Sequence, residues 1–141
     1  MSLLIFALSV SGVAVAADVL LVTEREQLDG FVDDVTRDRV DERLDGALSH
    51  VDPSAVPCRL QHGAEAQEFG AGESNELADA VRSALGVFDS GEQHLLQHAV
   101  KVDDDHATVT TRMGDSAYEQ TVIYDLVRND ERWLVKRVRT L

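Results

Sequence analysis

The chain has 141 residues, enough for one domain with a modest core, and its hydrophobic content of 44% is ordinary for a globular protein. Its formal net charge is −13, from 26 acidic against 13 basic residues, and a surface of that sign repels phosphate backbones, which argues against nucleic-acid binding. Lys101 and Lys136 are the only lysines, and the acidic excess reads first as a device for solubility.

Residues 1–22 are the first feature in chain order. Met1–Ala17 carries no charge, Asp18 interrupts, and Val19–Val22 resumes the apolar run. A span of about 20 apolar residues crosses a bilayer. Three readings stay open. The leading one is an uncleaved membrane anchor over residues 1–22, with a domain over 23–141. Arg25, Arg37 and Arg39 follow the span and no basic residue precedes it, which favours a cytoplasmic domain. The second is a signal peptide cut near Ala17, which makes a secreted or periplasmic envelope protein. The third is a helix buried in the domain.

Thr23-Glu24-Arg25-Glu26 has the spacing of a capping box and predicts a helix start. Leu28, Phe31, Val32 and Val35 form one apolar stripe; Val40, Leu44, Ala47 and Leu48 form a second, rotated by well over 90° from the first. One straight helix cannot bury both, so the chain is expected to break at Thr36-Arg37-Asp38-Arg39. The outer face carries Asp29, Asp33, Asp34, Asp41, Glu42 and Asp45, which reads as a solvated acidic face rather than a metal site. Ser49–Asn75 is punctuated by Pro53, Pro57, Gly63, Gly70 and Gly72, with Cys58–Gln61 and Ala66–Phe69 as short strands of a loose hairpin. Cys58 is the only cysteine, so no intramolecular disulfide forms; beside Pro57 it reads as a small buried residue, not a nucleophile. Ser74 caps a third helix with Leu77, Val81, Ala84, Leu85 and Phe88 on one stripe, and Asp89-Ser90-Gly91 ends it.

The remainder, Glu92 to Leu141, reads as four strands joined by polar turns at Asp103-Asp104-Asp105, Gly114-Asp115-Ser116 and Asn129-Asp130-Glu131. Alternation puts His94, Leu96, His98, Val100 and Val102 on one face of the first. Ala107, Val109, Thr111 and Met113 share a face of the second, and Tyr118, Val122, Tyr124 and Leu126 a face of the third. Trp133, Val135 and Val138 carry the fourth, where the step from Val135 to Val138 breaks alternation and predicts a β-bulge near Lys136-Arg137. The expected fold class is α+β: an N-terminal hydrophobic helix, then three helices packed on a curved antiparallel sheet ending in a four-strand meander.

This order, with the break at Arg37-Asp38 and the closing Arg132-Trp133-Leu134-Val135 strand, resembles the nuclear-transport-factor-2-like superfamily, which includes the SnoaL-like and ketosteroid-isomerase-like domains. The resemblance covers roughly residues 23–141. It implies a cone-shaped domain, a pocket between sheet and helices, and in many members a homodimer paired sheet to sheet.

Within such a cone the pocket candidates are His94, His98, Tyr118, Tyr124 and Asp125. Imidazole is a common acid/base group, phenols donate hydrogen bonds, and Asp125 is a strand carboxylate that could act as a base. The ordinary alternatives are exposed polar residues for the histidines and core packing for the tyrosines. No tyrosine in the first helix supplies the donor an isomerase needs, so no catalytic residue is carried over. There is no glycine-rich phosphate loop and no Cys/His cluster, and no cofactor or metal is expected. Arg128, Arg132, Lys136, Arg137 and Arg139 make the end of the chain locally basic, matching the acidic helices within one chain or across a dimer. The functional expectation is a non-enzymatic, membrane-associated domain that binds a small hydrophobic ligand or dimerises. The alternatives are a SnoaL-like pocket enzyme and an exported envelope protein.

Overall fold

The computed structural model describes residues 24–85 and 92–141. The apolar stretch 1–22, Phe88 and the Asp89-Ser90-Gly91 stop lie outside the described residues. Helix α1 covers residues 24–35, α2 Val40–Ser49 and α3 Ser74–Leu85. The strands are β1 Cys58–His62, β2 Glu65–Phe69, β3 His94–Asp103, β4 His106–Gly114, β5 Glu119–Asn129 and β6 Arg132–Thr140. Among the described residues no helix is long and apolar enough to cross a membrane.

The three helices fall where the apolar stripes put them. Leu28, Phe31, Val32 and Val35 are all buried, and α1 stops where the stripe rotates. Thr36 ends it locally, its hydroxyl donating to the Val32 carbonyl at 2.7 Å. Arg43 then reaches back from α2 and donates to the carbonyls of Arg37 and Asp38, at 2.8 and 2.9 Å. A helix end leaves carbonyls without partners, and this guanidinium supplies donors at the break.

The six strands form one sheet in the order β2-β1-β6-β5-β4-β3. It is mixed, not antiparallel throughout: β1 runs parallel to β6, with Arg59 beside Arg137 and His62 beside Thr140. Alternation along a strand carries no information about the direction of its neighbour, so the pattern alone could not show this. The meander β3-β4-β5-β6 is antiparallel as expected. Its tight turns hold Asp104 and Asp130 at φ of 53°, while Gly63 at 59° turns β1 into β2. Asp and Gly are residues that tolerate this left-handed conformation.

The inner face of the sheet packs on the helices. Val109, Val122, Tyr124, Leu126, Trp133, Val135 and Val138 meet the α1 stripe, Ala47 of α2 and Leu77 and Val81 of α3. Phe31 stands edge-on to both the Tyr124 ring and the His50 ring, with centroids 5.3 and 4.9 Å apart. His50 joins three elements, because its Nε2 also meets Asp34 of α1 at 3.0 Å and its carbonyl accepts from the Val135 amide at 2.9 Å.

Two bulges interrupt the ladders. On β6 the partner of Leu126 is Val135 and that of Asp125 is Arg137, so Lys136 is the extra residue, as the broken alternation predicted. On β3, Leu95 pairs with Met113 and Gln97 with Arg112, which makes Leu96 extra. This corrects the expected face of β3. His98 lies opposite Thr111 and His94 opposite Gly114, and those partners are three residues apart on β4. Residues three apart on a strand point to opposite faces, so His94 and His98 do not share one.

At Gly46 α2 passes close against the backbone of α1. A Cβ there would lie 2.3 Å from the Asp34 carbonyl oxygen and 2.8 Å from its carbon, which are backbone atoms that cannot swing away. Gly46→Ala is expected to lower the unfolding free energy by about 1–3 kcal/mol in urea denaturation, despite the better helix propensity of alanine. An unchanged midpoint would contradict the tight crossing.

The Asp34 carboxyl is held below its ordinary value of 3.8, first by the hydrogen bond from His50 and further by Arg37, against the opposing effect of burial. A depressed folded-state pKa contributes stability above pH 3.8 that is lost as pH falls through the lower folded value. Asp34→Asn should therefore flatten the acid limb of a plot of urea midpoint against pH. An equally steep limb in the variant would remove Asp34 as its source.

Candidate functional site

The interior of the domain, where the resemblance locates a pocket, is lined by Val35, Val40, Arg43, Leu44, Gln93, Thr111, Met113, Gln120, Val122 and Tyr124. The free space there is about 20 Å³. That is room for roughly one water molecule and not for a substrate. Two of its polar residues, Arg43 and Gln93, are tied into the structure by hydrogen bonds. Arg43 donates to Gln93 Oε1 at 3.1 Å as well as to the two carbonyls of the helix break, and the Gln93 amide donates to the Asp38 carbonyl at 3.2 Å. Burial lowers the Arg43 guanidinium from its ordinary value, while Tyr124 and Asp38 act the other way. Burial pushes the Tyr124 phenol up, with Arg43 opposing. No carboxylate side chain lines this space among the described residues.

The larger concavity lies between α3 and the β1–β2 hairpin, beside the end of β6, and encloses about 470 Å³. Its shape follows from side-chain size. At the base, Leu77 and Val81 of α3 pack with Cys58 and Phe69, all buried. Towards the hairpin turn α3 presents Ala80, Ser83 and Ala84, which are too short to reach the strands. Leu60 and Val138 make an apolar floor, and they lie side by side in the parallel ladder. His62, Glu65, Gln67 and Thr140 form a polar end, where His62 Nδ1 and Thr140 Oγ1 are hydrogen-bonded at 2.6 Å. Cys58 is fully buried beneath it and is no nucleophile, since burial pushes its thiol up to about 12.

The five sequence-derived candidates do not converge. Of the five, only Tyr124 lines the interior. His94 is exposed and meets Asp38 at 3.0 Å. His98 is exposed on β3, an edge strand whose ten residues are all exposed. Tyr118 is 44% exposed and precedes β5, where its amide donates to the Asp115 carboxylate. Asp125 is on the outer face of the sheet, away from the helices, held by Arg139 at 3.2 Å and by the Thr108 hydroxyl at 3.1 Å. It is not placed to serve as a base in the interior. The residues missed by sequence reasoning are Arg43, Gln93, His62 and Thr140. His62 and Thr140 are 78 positions apart, and only the parallel pairing of β1 with β6 brings them together.

No protein-family model and no curated protein matches the chain. Solved structures do. A protein from Novosphingobium aromaticivorans with a cystatin-like fold superposes with a TM-score of 0.57 at 16% identity, covering 89% of this chain and 86% of its own. A protein of unknown function from Nostoc punctiforme, also cystatin-like, gives 0.54 at 13%, covering 84% and 87%. A candidate ketosteroid isomerase from Shewanella frigidimarina gives 0.55 at 11%, covering 82% and 92%. The chain has the nuclear-transport-factor-2-like fold. At these identities the likeness is one of fold alone, and a fold does not assign a function. Among the described residues the interior is nearly filled, and the hairpin cleft is open.

The Arg43 staple has a measurable weight. Arg43→Met leaves two helix-break carbonyls and Gln93 without their donor, and is expected to cost about 1–3 kcal/mol of stability by urea denaturation. A loss smaller than 0.5 kcal/mol, the low end for a single hydrogen bond, would show that water replaces it freely.

Proposed function

We propose that this chain is a non-catalytic binding domain that takes a small, largely apolar molecule into the cleft between α3 and the β1–β2 hairpin. The observation that carries the reading is the contrast in space: about 470 Å³ in the cleft against about 20 Å³ in the interior. Small-molecule sites usually enclose about 300–1,000 Å³, with apolar walls and a few polar groups that orient the ligand. The cleft has that composition. Leu60, Ala66, Ala80, Ala84 and Val138 take an apolar body, and His62, Gln67 and Thr140 take a neutral polar end. Glu65 at the same end disfavours an anionic head group.

The pocket-enzyme reading fares worse. An isomerase of the ketosteroid type needs an apolar cavity holding a carboxylate base and donors for an oxyanion. Here Arg43 Nη1 donates to the helix-break carbonyls and Nη2 to Gln93, and Asp125 faces the other side of the sheet. Sheet-to-sheet pairing lacks its expected aromatic anchors as well, since Trp133 and Tyr124 are both buried on the inner face.

The test uses N-phenyl-1-naphthylamine, a neutral apolar fluorophore. Saturable fluorescence enhancement is expected for the native chain and for Gln120→Leu, which alters only the interior. It should be lost in Ala84→Trp, which fills the cleft. Binding that persists in Ala84→Trp, or no saturable binding to the native chain, would overturn the proposal.

A further inference from the structure

The basic end of the chain finds little acidic cover. Of its cations, Arg128 pairs with the helix residue Glu24. Arg137 and Arg139 lie on the outer face, because Val138 and Thr140 between and beside them are buried on the inner one. The acidic helices pack against the inner face and cannot reach them. Arg59 of β1 stands next to Arg137 in the parallel ladder and brings a third guanidinium to the same patch.

The local carboxylates do not satisfy this group. Asp125 meets Arg139 through Nη2 alone, at 3.2 and 3.3 Å, and Arg137 only through Nε at 3.9 Å. Arg139 Nε is buried with no hydrogen-bond partner. Glu68 faces Arg59 across the β1–β2 ladder, yet Arg59 makes no ion pair with any described residue. Unused donors therefore remain on all three side chains, in a molecule whose net charge is −13. Adjacent strands lie about 4.8 Å apart and alternate residues about 6.6 Å apart, so three long guanidinium arms on these positions can close on one group.

We infer that Arg59, Arg137 and Arg139 form an anion site on the outer face of the sheet, which receives the carboxylate or phosphate group of a small ligand. The Asp125 carboxylate seated against Arg139 and Arg137 shows the chemistry the site accepts. Arg137, with both Nη ends unused, and Arg59 provide the second seat. The site is on the opposite face from the hairpin cleft and stands independently of it.

Arginine Nε–Hε resonances of the full chain, titrated with inorganic phosphate or succinate at constant ionic strength, test the assignment. The expected result is saturable shifts at Arg59, Arg137 and Arg139. Affinity should fall about tenfold in Arg59→Gln, an exposed position with no ion pair to lose, and stay unchanged in Arg132→Gln. The arm that saturates at lower concentration distinguishes a phosphate from a carboxylate ligand. Linear shifts of equal size at every arginine would mean ionic screening only and overturn the site. So would saturable binding that survives both Arg59→Gln and Arg137→Gln.

Discussion

The structure depends on the burial of one helix stripe. Leu28, Phe31, Val32 and Val35 cover the centre of the sheet, and Phe31 is completely buried between Tyr124 and His50. Burying such a ring contributes about 1.5–3 kcal/mol, and each edge-to-face pair about 0.5–1.5 kcal/mol more. His50 turns that packing into a three-way junction, since it also holds Asp34 and receives the Val135 amide. The helix pair, the end of α2 and the sheet are fixed relative to one another at this point, and Gly46 lets the two helices close on it.

The same junction explains why the interior is full. With α1 seated on Tyr124 and α2 drawn in by Gly46, the mouth of the domain is closed by Arg43 and Gln93. Gln93 is buried and Arg43 half-buried, and both are hydrogen-bonded, which is the look of a catalytic cluster, yet their bonds to the Arg37 and Asp38 carbonyls answer a need of the backbone at the helix break. Space is left instead where α3 carries alanine and serine opposite the hairpin. In this chain the position of the cleft thus follows from the small residues on α3.

Much of the frame was legible in the sequence because it rests on local periodicity. The two rotated stripes revealed the break at 36–39, and the Val135–Val138 step revealed the bulge at Lys136. The bulge at Leu96 was hidden, since Leu95 and Leu96 are equally apolar and either phase of alternation reads well. The parallel seam between β1 and β6 was hidden for a different reason: pairing direction is a property of two distant segments, not of either one. The site suffered most. Its candidates were chosen by chemical type along strands, whereas the cleft is made by residues from β1, β2, α3 and β6 whose type is unremarkable until the seam joins them.

That seam also imposes an order on assembly. Strand β6 follows every other strand in the chain, yet it occupies the third place in a row of six, between β1 and β5. Among the described residues the β1–β2 hairpin joins the rest of the sheet only through β6, so the open edge of β1 stays unpaired until β6 arrives. During synthesis that strand edge is therefore an unfinished surface, which lasts until the final strand emerges. The net charge of −13 acts in a useful sense at that stage, since like charges on neighbouring chains oppose the pairing of open strand edges.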